Sequence, residues 1–172
     1  MSEATDDGQV VRLKVNGAEL SVAVPGDEPL ATTLRDRVGL RSVRTACGIG
    51  ICGSCTVQVE GRAVSSCLML TAAVGERSVR TCEGLVGAEG APGRVQQAFV
   101  DNRAYQCSYC IPGMVVSVDA YLGEHPDADV DEVRHALSGN LCRCGTYVSI
   151  LAAVHDLVAS ARSGAAAATP AD

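Results

Sequence analysis

The segment Cys47-Gly-Ile-Gly-Ile-Cys52-Gly-Ser-Cys55 constrains this chain more than any other. Three thiols in so short a run, with glycines at 48, 50 and 53 and a further thiol at Cys67, describe a backbone wrapped around something compact. Four residues between cysteines, then two, then a distant fourth ligand is the plant-type spacing for a [2Fe–2S] cluster. Gly48, Gly50 and Gly53 suit that job because a residue without a Cβ reaches positive φ and lets backbone amides approach the cluster sulfurs. The competing readings are structural zinc, disulfides and buried apolar thiols. Zinc more often takes short cysteine pairs or histidines, and no histidine lies near this loop.

A chain of 172 residues is long enough for one ordinary domain or two small ones. With no Trp and a single Phe, any core must be built from Val, Leu, Ile and Ala. Two small aliphatic cores are marginal alone, so clusters or a partner surface are expected to add stability. The net charge of −6 argues against a nucleic-acid partner. The acidic first residues are not a secretory signal and no run is apolar enough to span a bilayer, so no membrane insertion is expected. Nine cysteines in such a chain read as metal ligands in a reducing compartment. The expected location is cytoplasmic, with export as a folded complex on a partner's signal as the other route.

Along the chain, Val11, Leu13 and Val15 alternate with polar residues, Asn16-Gly17 makes a two-residue turn, and Leu20, Val22 and Val24 alternate again. This pattern predicts a β-hairpin with one buried face. Asp27 is placed to cap a helix carrying Leu30, Leu34 and Val38, with Gly39 as its stop. After the cysteine loop, Val57 and Val59 lead into Glu60-Gly61 and a second hairpin, and Ser78 to Cys82 reads as a closing strand. That order is the order of a β-grasp domain.

Composition shifts at Glu89-Gly90-Ala91-Pro92, read as a linker. Beyond it the periodicity is helical: Val95 and Phe99; then Val115, Val118 and Leu122 after Pro112; then Val130, Val133 and Leu137 behind an Asp129/Glu132 capping box, with Gly139 as a stop. A last helix begins after Cys144 with Tyr147, Leu151, Val154 and Val158 on one face. The expected fold class is α+β, an N-terminal β-grasp, plant-type ferredoxin-like domain over 9–88 followed by a small four-helix-bundle domain over 92–162. Residues 1–8 and 163–172 are expected to be disordered.

Residues 111–141 separate the pair Cys107-Ser-Tyr-Cys110 from Cys142-Arg-Cys144. Each pair falls at the amino end of a predicted helix, where free N–H groups and the positive dipole end stabilise thiolate and an anionic cluster. By spacing alone this second set also suits zinc.

Taken together, the loop 47–57, Gln106-Cys-Ser-Tyr-Cys-Ile-Pro-Gly-Met114 and Leu137-Ser-Gly-Asn-Leu-Cys-Arg-Cys144 resemble the iron–sulfur subunit of the molybdenum hydroxylases, the xanthine dehydrogenase and aldehyde oxidoreductase family. The resemblance spans about residues 10–160 and includes all eight ligand positions. It implies two [2Fe–2S] clusters: one on Cys47, Cys52, Cys55 and Cys67 near the electron exit, one on Cys107, Cys110, Cys142 and Cys144 beside a molybdopterin. It implies that Gln106 and Cys144 contact that pterin, which a large partner subunit holds.

The same resemblance implies an electron-relay subunit without a substrate site of its own, with no catalytic residue on this chain. Electrons would pass to an FAD subunit, or to a haem cytochrome or other carrier. Departures from the family pattern are Gly145-Thr-Tyr147, where Thr-Gly-Tyr is usual, and Ile111, where Thr is usual. They bear on contacts with the large subunit, not on any ligand. Cys82 has no ligand role and reads as a buried reduced thiol. Arg41 and Arg44 read as solvated charges or as steering groups for an acidic partner, Arg143 as a source of positive potential or an interface residue, and His125, His135 and His155 as surface residues. A free-standing two-cluster carrier and a zinc interaction module are the rival functions.

Overall fold

The computed structural model describes residues 8–167, so the outermost residues at both ends, expected to be disordered, lie outside what is described. The chain is of mixed α and β structure. Strands β1 (Gln9–Val15) and β2 (Ala18–Val24) form the first hairpin, with Leu13 opposite Leu20 and Val11 opposite Val22. Asn16 and Gly17 turn it with φ of 51° and 82°, the left-handed pair that a tight two-residue hairpin requires.

Helix α1 (Leu30–Thr32) is a single turn that widens into a π-helical stretch, Thr33–Arg37. The expected cap at Asp27 does not form. Pro29 occupies the N-cap without a side-chain bond, and the acidic residue that matters is its neighbour Glu28. Glu28 is only 8% exposed. Its carboxylate takes a forked bond from Arg37 at 2.6–3.0 Å and accepts from the Thr33 hydroxyl at 2.5 Å. Its own carbonyl accepts from Thr71, so the start of α1 is tied to the segment that follows Cys67. Gly39 ends this segment at φ 88°.

Strands β3 (Thr56–Val59) and β4 (Arg62–Ser65) form the second hairpin, and β5 (Ser78–Arg80) closes the sheet in the order β2-β1-β5-β3-β4. Among the described residues the β1–β5 pair alone is parallel. The last strand is shorter than its pattern predicts, because Cys82 already begins a 3-10 turn through Leu85. Leu13, Val15, Leu30, Leu34, Val57 and Val79 pack beneath the sheet as one core.

Helices α2 (Arg94–Asp101), α3 (Ile111–Glu124), α4 (Val130–Ala136) and α5 (Tyr147–Ala167) surround a second core of Phe99, Met114, Val118, Val133, Ile150 and Val154. The Asp129/Glu132 capping box forms in both directions. Two details differ from the periodicity. In α5 the buried face runs through Ile150, Ala153, Val154, Leu157 and Val158, so Tyr147 and Leu151 stand at its margin. That helix also continues past Ser163 to Ala167.

The cores share a wall. Helix α3 lies against β3, where the buried Gln58 amide donates to Asp119 at 2.8 Å. The Glu28 cluster yields a prediction. Its carboxyl is held below the ordinary value by the bonds from Arg37, which overcome burial, with Thr33 helping. Stability from this group is therefore complete above pH about 4.5 and is lost as the pH falls through the lowered folded value. Since Arg37 is 39% exposed, its pairing is partly screened, and Glu28→Ala should cost about 2 kcal/mol at pH 7 in urea unfolding, a deficit that closes in acid.

Candidate metal centres

The hairpin β3–β4 solves a distance problem for the first set of thiols. Cys55 immediately precedes β3 and Cys67 sits in the 3-10 turn that follows β4. Thr56 pairs with Ser65, and the Ser66 hydroxyl donates to the Cys55 carbonyl at 2.6 Å, so the two sulfurs reach the same end of the hairpin. Cys47 and Cys52 face them from the loop, where Gly48, Gly50 and Gly53 have φ of 68°, 75° and 68°. The Cys52 amide lies 3.4 Å from the Cys47 sulfur.

The second set is assembled by helix starts. Cys110 occupies the N-cap of α3, with Pro112 in its first turn, and Cys142 and Cys144 precede α5. The Cys142 sulfur lies 3.0 Å from the Thr146 hydroxyl, and its amide donates to the Tyr147 hydroxyl at 2.8 Å. The sequence Gly145-Thr-Tyr147 thus places a buried hydroxyl on a candidate ligand sulfur. Ile111 is half-buried against the helical core.

The electrostatics of the thiols follow from this packing. The amides of Ile49 and Cys52, then the Cys52 thiol and the Ile51 amide, bring Cys47 down to about 6. The Tyr109 amide, helped by the Cys144 thiol, lowers Cys107. Burial opposes ionisation of Cys142, but the Thr146 hydroxyl and amide, the Cys110 thiol and the Cys144 amide outweigh it and hold that thiol at about 7. Burial and the neighbouring Cys55 thiol push Cys67 up to about 11, and burial and Cys142 push Cys110 up to about 12. The first set therefore joins a readily ionised thiol, Cys47, to a reluctant one, Cys67, and the second joins Cys107 and Cys142 to the reluctant Cys110, which a bound cation would help to deprotonate.

The thiols act on one another within each set: Cys52 helps to lower Cys47, Cys55 raises Cys67, Cys144 helps to lower Cys107 and Cys142 raises Cys110. Among the described residues no group of three His, Cys, Asp or Glu side chains converges as a mononuclear ion requires. Two thiol pairs per set fit a dinuclear cluster with two thiolates on each iron. All three histidines are exposed and away from both sets, and Cys82 is a half-buried free thiol against Gln96, raised by burial.

Several residues that are not expected ligands join the two sets. Arg44 donates to the Ser108 carbonyl and lies 5.3 Å from the Tyr109 ring, while the Tyr109 hydroxyl donates to the Thr45 carbonyl at 3.0 Å. Arg44 is therefore a clamp between the loops and not a freely solvated charge. On the other side the Leu141 amide donates to the Cys52 carbonyl at 3.0 Å and the buried Asn140 amide donates to the Gly53 carbonyl at 3.1 Å. A Cβ on Gly53 would stand 2.5 Å from the Asn140 amide nitrogen, and one on Gly113 would run into the Gly53 carbonyl. Gln106 and Cys144 are both exposed, on the edge where Cys107 and Cys144 meet.

Comparison with known proteins agrees with the two-set arrangement. Residues 13–87 match the family described as 2Fe-2S iron-sulfur cluster binding domain, and residues 81–155 match the family described as [2Fe-2S] binding domain. The small FeS subunit of the nicotinate dehydrogenase of Eubacterium barkeri is 41% identical over 144 residues, which is 84% of this chain and 91% of that one. The xanthine dehydrogenase iron-sulfur-binding subunit of Escherichia coli O157:H7 is 40% identical over 85% of this chain and 92% of that one. Among solved structures, quinoline 2-oxidoreductase of Pseudomonas putida 86 superposes with a TM-score of 0.84 at 36% identity, covering 92% of this chain and 98% of that chain. The close approach at the seam is testable: Gly113→Ala should cost about 1–3 kcal/mol in urea unfolding of the full chain by overpacking against Gly53, and an unchanged midpoint would contradict that contact.

Proposed function

The chain belongs to the iron–sulfur subunits of the molybdenum hydroxylases, the xanthine dehydrogenase and aldehyde oxidoreductase family, and from that premise we propose which of its residues carry the electrons and how. It is the electron-transfer subunit of a multisubunit oxidoreductase whose molybdopterin and FAD sit on partner subunits. The observation that supports the site assignment best is the gathering of the thiols in two places: the β3–β4 register brings Cys55 and Cys67 to one end of a hairpin beside the Cys47–Cys52 loop, and the starts of α3 and α5 carry the other set.

In this reading Cys47, Cys52, Cys55 and Cys67 hold one [2Fe–2S] cluster, with Cys47 and Cys52 on one iron and Cys55 and Cys67 on the other. Cys107 with Cys144, and Cys110 with Cys142, do the same for the second. When bound, the clusters supply one-electron redox chemistry, which divides a two-electron oxidation at the partner into single transfers. The chain's own residues hold those sulfurs and aim amides at them: Ile49 and Ile51 at Cys47, Gly50 at Cys67, Tyr109 at Cys107 and Cys144 at Cys142.

Direction follows from exposure. Gln106 and Cys144 present the second quartet's open edge to the partner's pterin. Ile49, Ile51 and Leu68 expose apolar side chains around the first quartet, a face suited to the acceptor subunit. The module order is a β-grasp unit over 9–88 followed by a helical unit over 92–162. The nicotinate and quinoline in the relatives' names make an N-heteroaromatic compound the substrate class for the partner. A cytoplasmic location suits eight reduced thiols, and no helix among the described residues is long and apolar enough to cross a membrane.

The purified assembled enzyme should contain about four irons per copy of this chain, in two distinguishable [2Fe–2S] signals. Cys55→Ser and Cys110→Ser should each abolish one signal and spare the other. A zinc-loaded chain without iron–sulfur absorption, or one signal lost in both variants alike, would refute the two-quartet assignment.

A further inference from the structure

Asn140 is 4% exposed and carries no charge, yet among the described residues it is the one buried side chain that hydrogen-bonds across the two cysteine loops. It stands two residues before Cys142, and its amide donates to the carbonyl of Gly53, which lies between Cys52 and Cys55. The Gly53 carbonyl does not need that donor for satisfaction. The Thr56 amide and hydroxyl reach the same oxygen at 3.2 and 2.7 Å. A third donor on a carbonyl already paired twice adds little net stability, but it adds a direction. The Asn140 oxygen is held in turn by the Ser117 hydroxyl, which lies 2.9 Å from both it and the Gly113 carbonyl. The strut therefore runs from the first loop through Asn140 into the rigid interior of α3.

We infer that Asn140 is a positioning residue that sets the separation of the two [2Fe–2S] clusters, acting through Gly53 on one loop and through its own chain on the other. This rests on the quartet assignment above. The neighbouring Leu141-to-Cys52 backbone bond depends on the same placement, since Asn140 precedes Leu141 directly and its carbonyl is gripped by the Tyr147 hydroxyl at 3.1 Å. Without the Asn140 amide the loops keep the Arg44 and Tyr109 clamp on the opposite side and pivot about it.

Paramagnetic clusters split each other's spectra, and the splitting falls steeply with separation, so the inference has a readout that stability alone does not move. In the assembled enzyme with both clusters reduced, Asn140→Ala should retain the native iron content and both signals but show a reduced splitting at low temperature. Ser117→Ala, which keeps the donor to Gly53 and frees the Asn140 oxygen, should reduce the splitting less. If Asn140→Ala loses iron, Ser117→Ala decides: a reduced splitting supports the inference. Native splitting in an iron-replete Asn140→Ala enzyme, or in Ser117→Ala where that variant decides, overturns it while leaving the ligands in place. A wild-type enzyme without two interacting signals would instead remove the quartet assignment and this inference together.

Discussion

The architecture depends on one close approach of backbone to backbone, the Gly53 carbonyl against the flank of α3 at Gly113. A Cβ at Gly113 would collide with the Gly53 carbonyl, and one at Gly53 would collide with Gly139 and Asn140, so the seam closes on both sides only because these side chains are missing. Around that point the Thr56 amide and hydroxyl and the Asn140 amide converge on a single carbonyl oxygen. The consequence is that two hydrophobic cores, each too aliphatic and small to be rigid alone, share a seam at the place where both sets of thiols lie.

That seam explains the division of labour among the thiols. Each set has sulfurs reached by backbone amides and a cysteine buried in a core, Cys55 beneath the sheet with Cys67 partly buried beside it, and Cys110 among the helices. The amides favour thiolate and the cores exclude water, which is the combination an anionic cluster needs if its potential is to be set by the protein. The hairpin β3–β4 and the starts of α3 and α5 perform the same task with different secondary structure. A register pairing brings Cys55 to Cys67, and helix amino ends bring Cys110 to Cys142.

Much of this was legible in the residues. Asn16-Gly17, Glu60-Gly61 and the Asp129/Glu132 box each carry a local rule strong enough to survive folding. The cysteine intervals likewise announced the chemistry. Other parts were illegible because they depend on distant partners. Asp27 looked like a cap, but Pro29 takes that position and Glu28 turns inward to Arg37, a choice made by Thr71 some forty residues away. The stripe of α5 shifted from Tyr147 and Leu151 to Ile150 and Ala153 because the helix packs on two sides. Asn140 and Arg44 gave no sign of their partners in the other loop, since hydrogen bonds across loops leave no periodicity.

The central claim is that electrons leaving the partner's molybdenum site traverse both quartets in series, second then first, within one rigid chain. The direct measurement is rapid reduction of the assembled enzyme by its substrate, comparing native protein with Cys55→Ser. The account predicts that the variant still reduces the cluster on Cys107, Cys110, Cys142 and Cys144 at the native rate, while turnover with the physiological acceptor is lost. Turnover undiminished in a variant lacking the first cluster would contradict it.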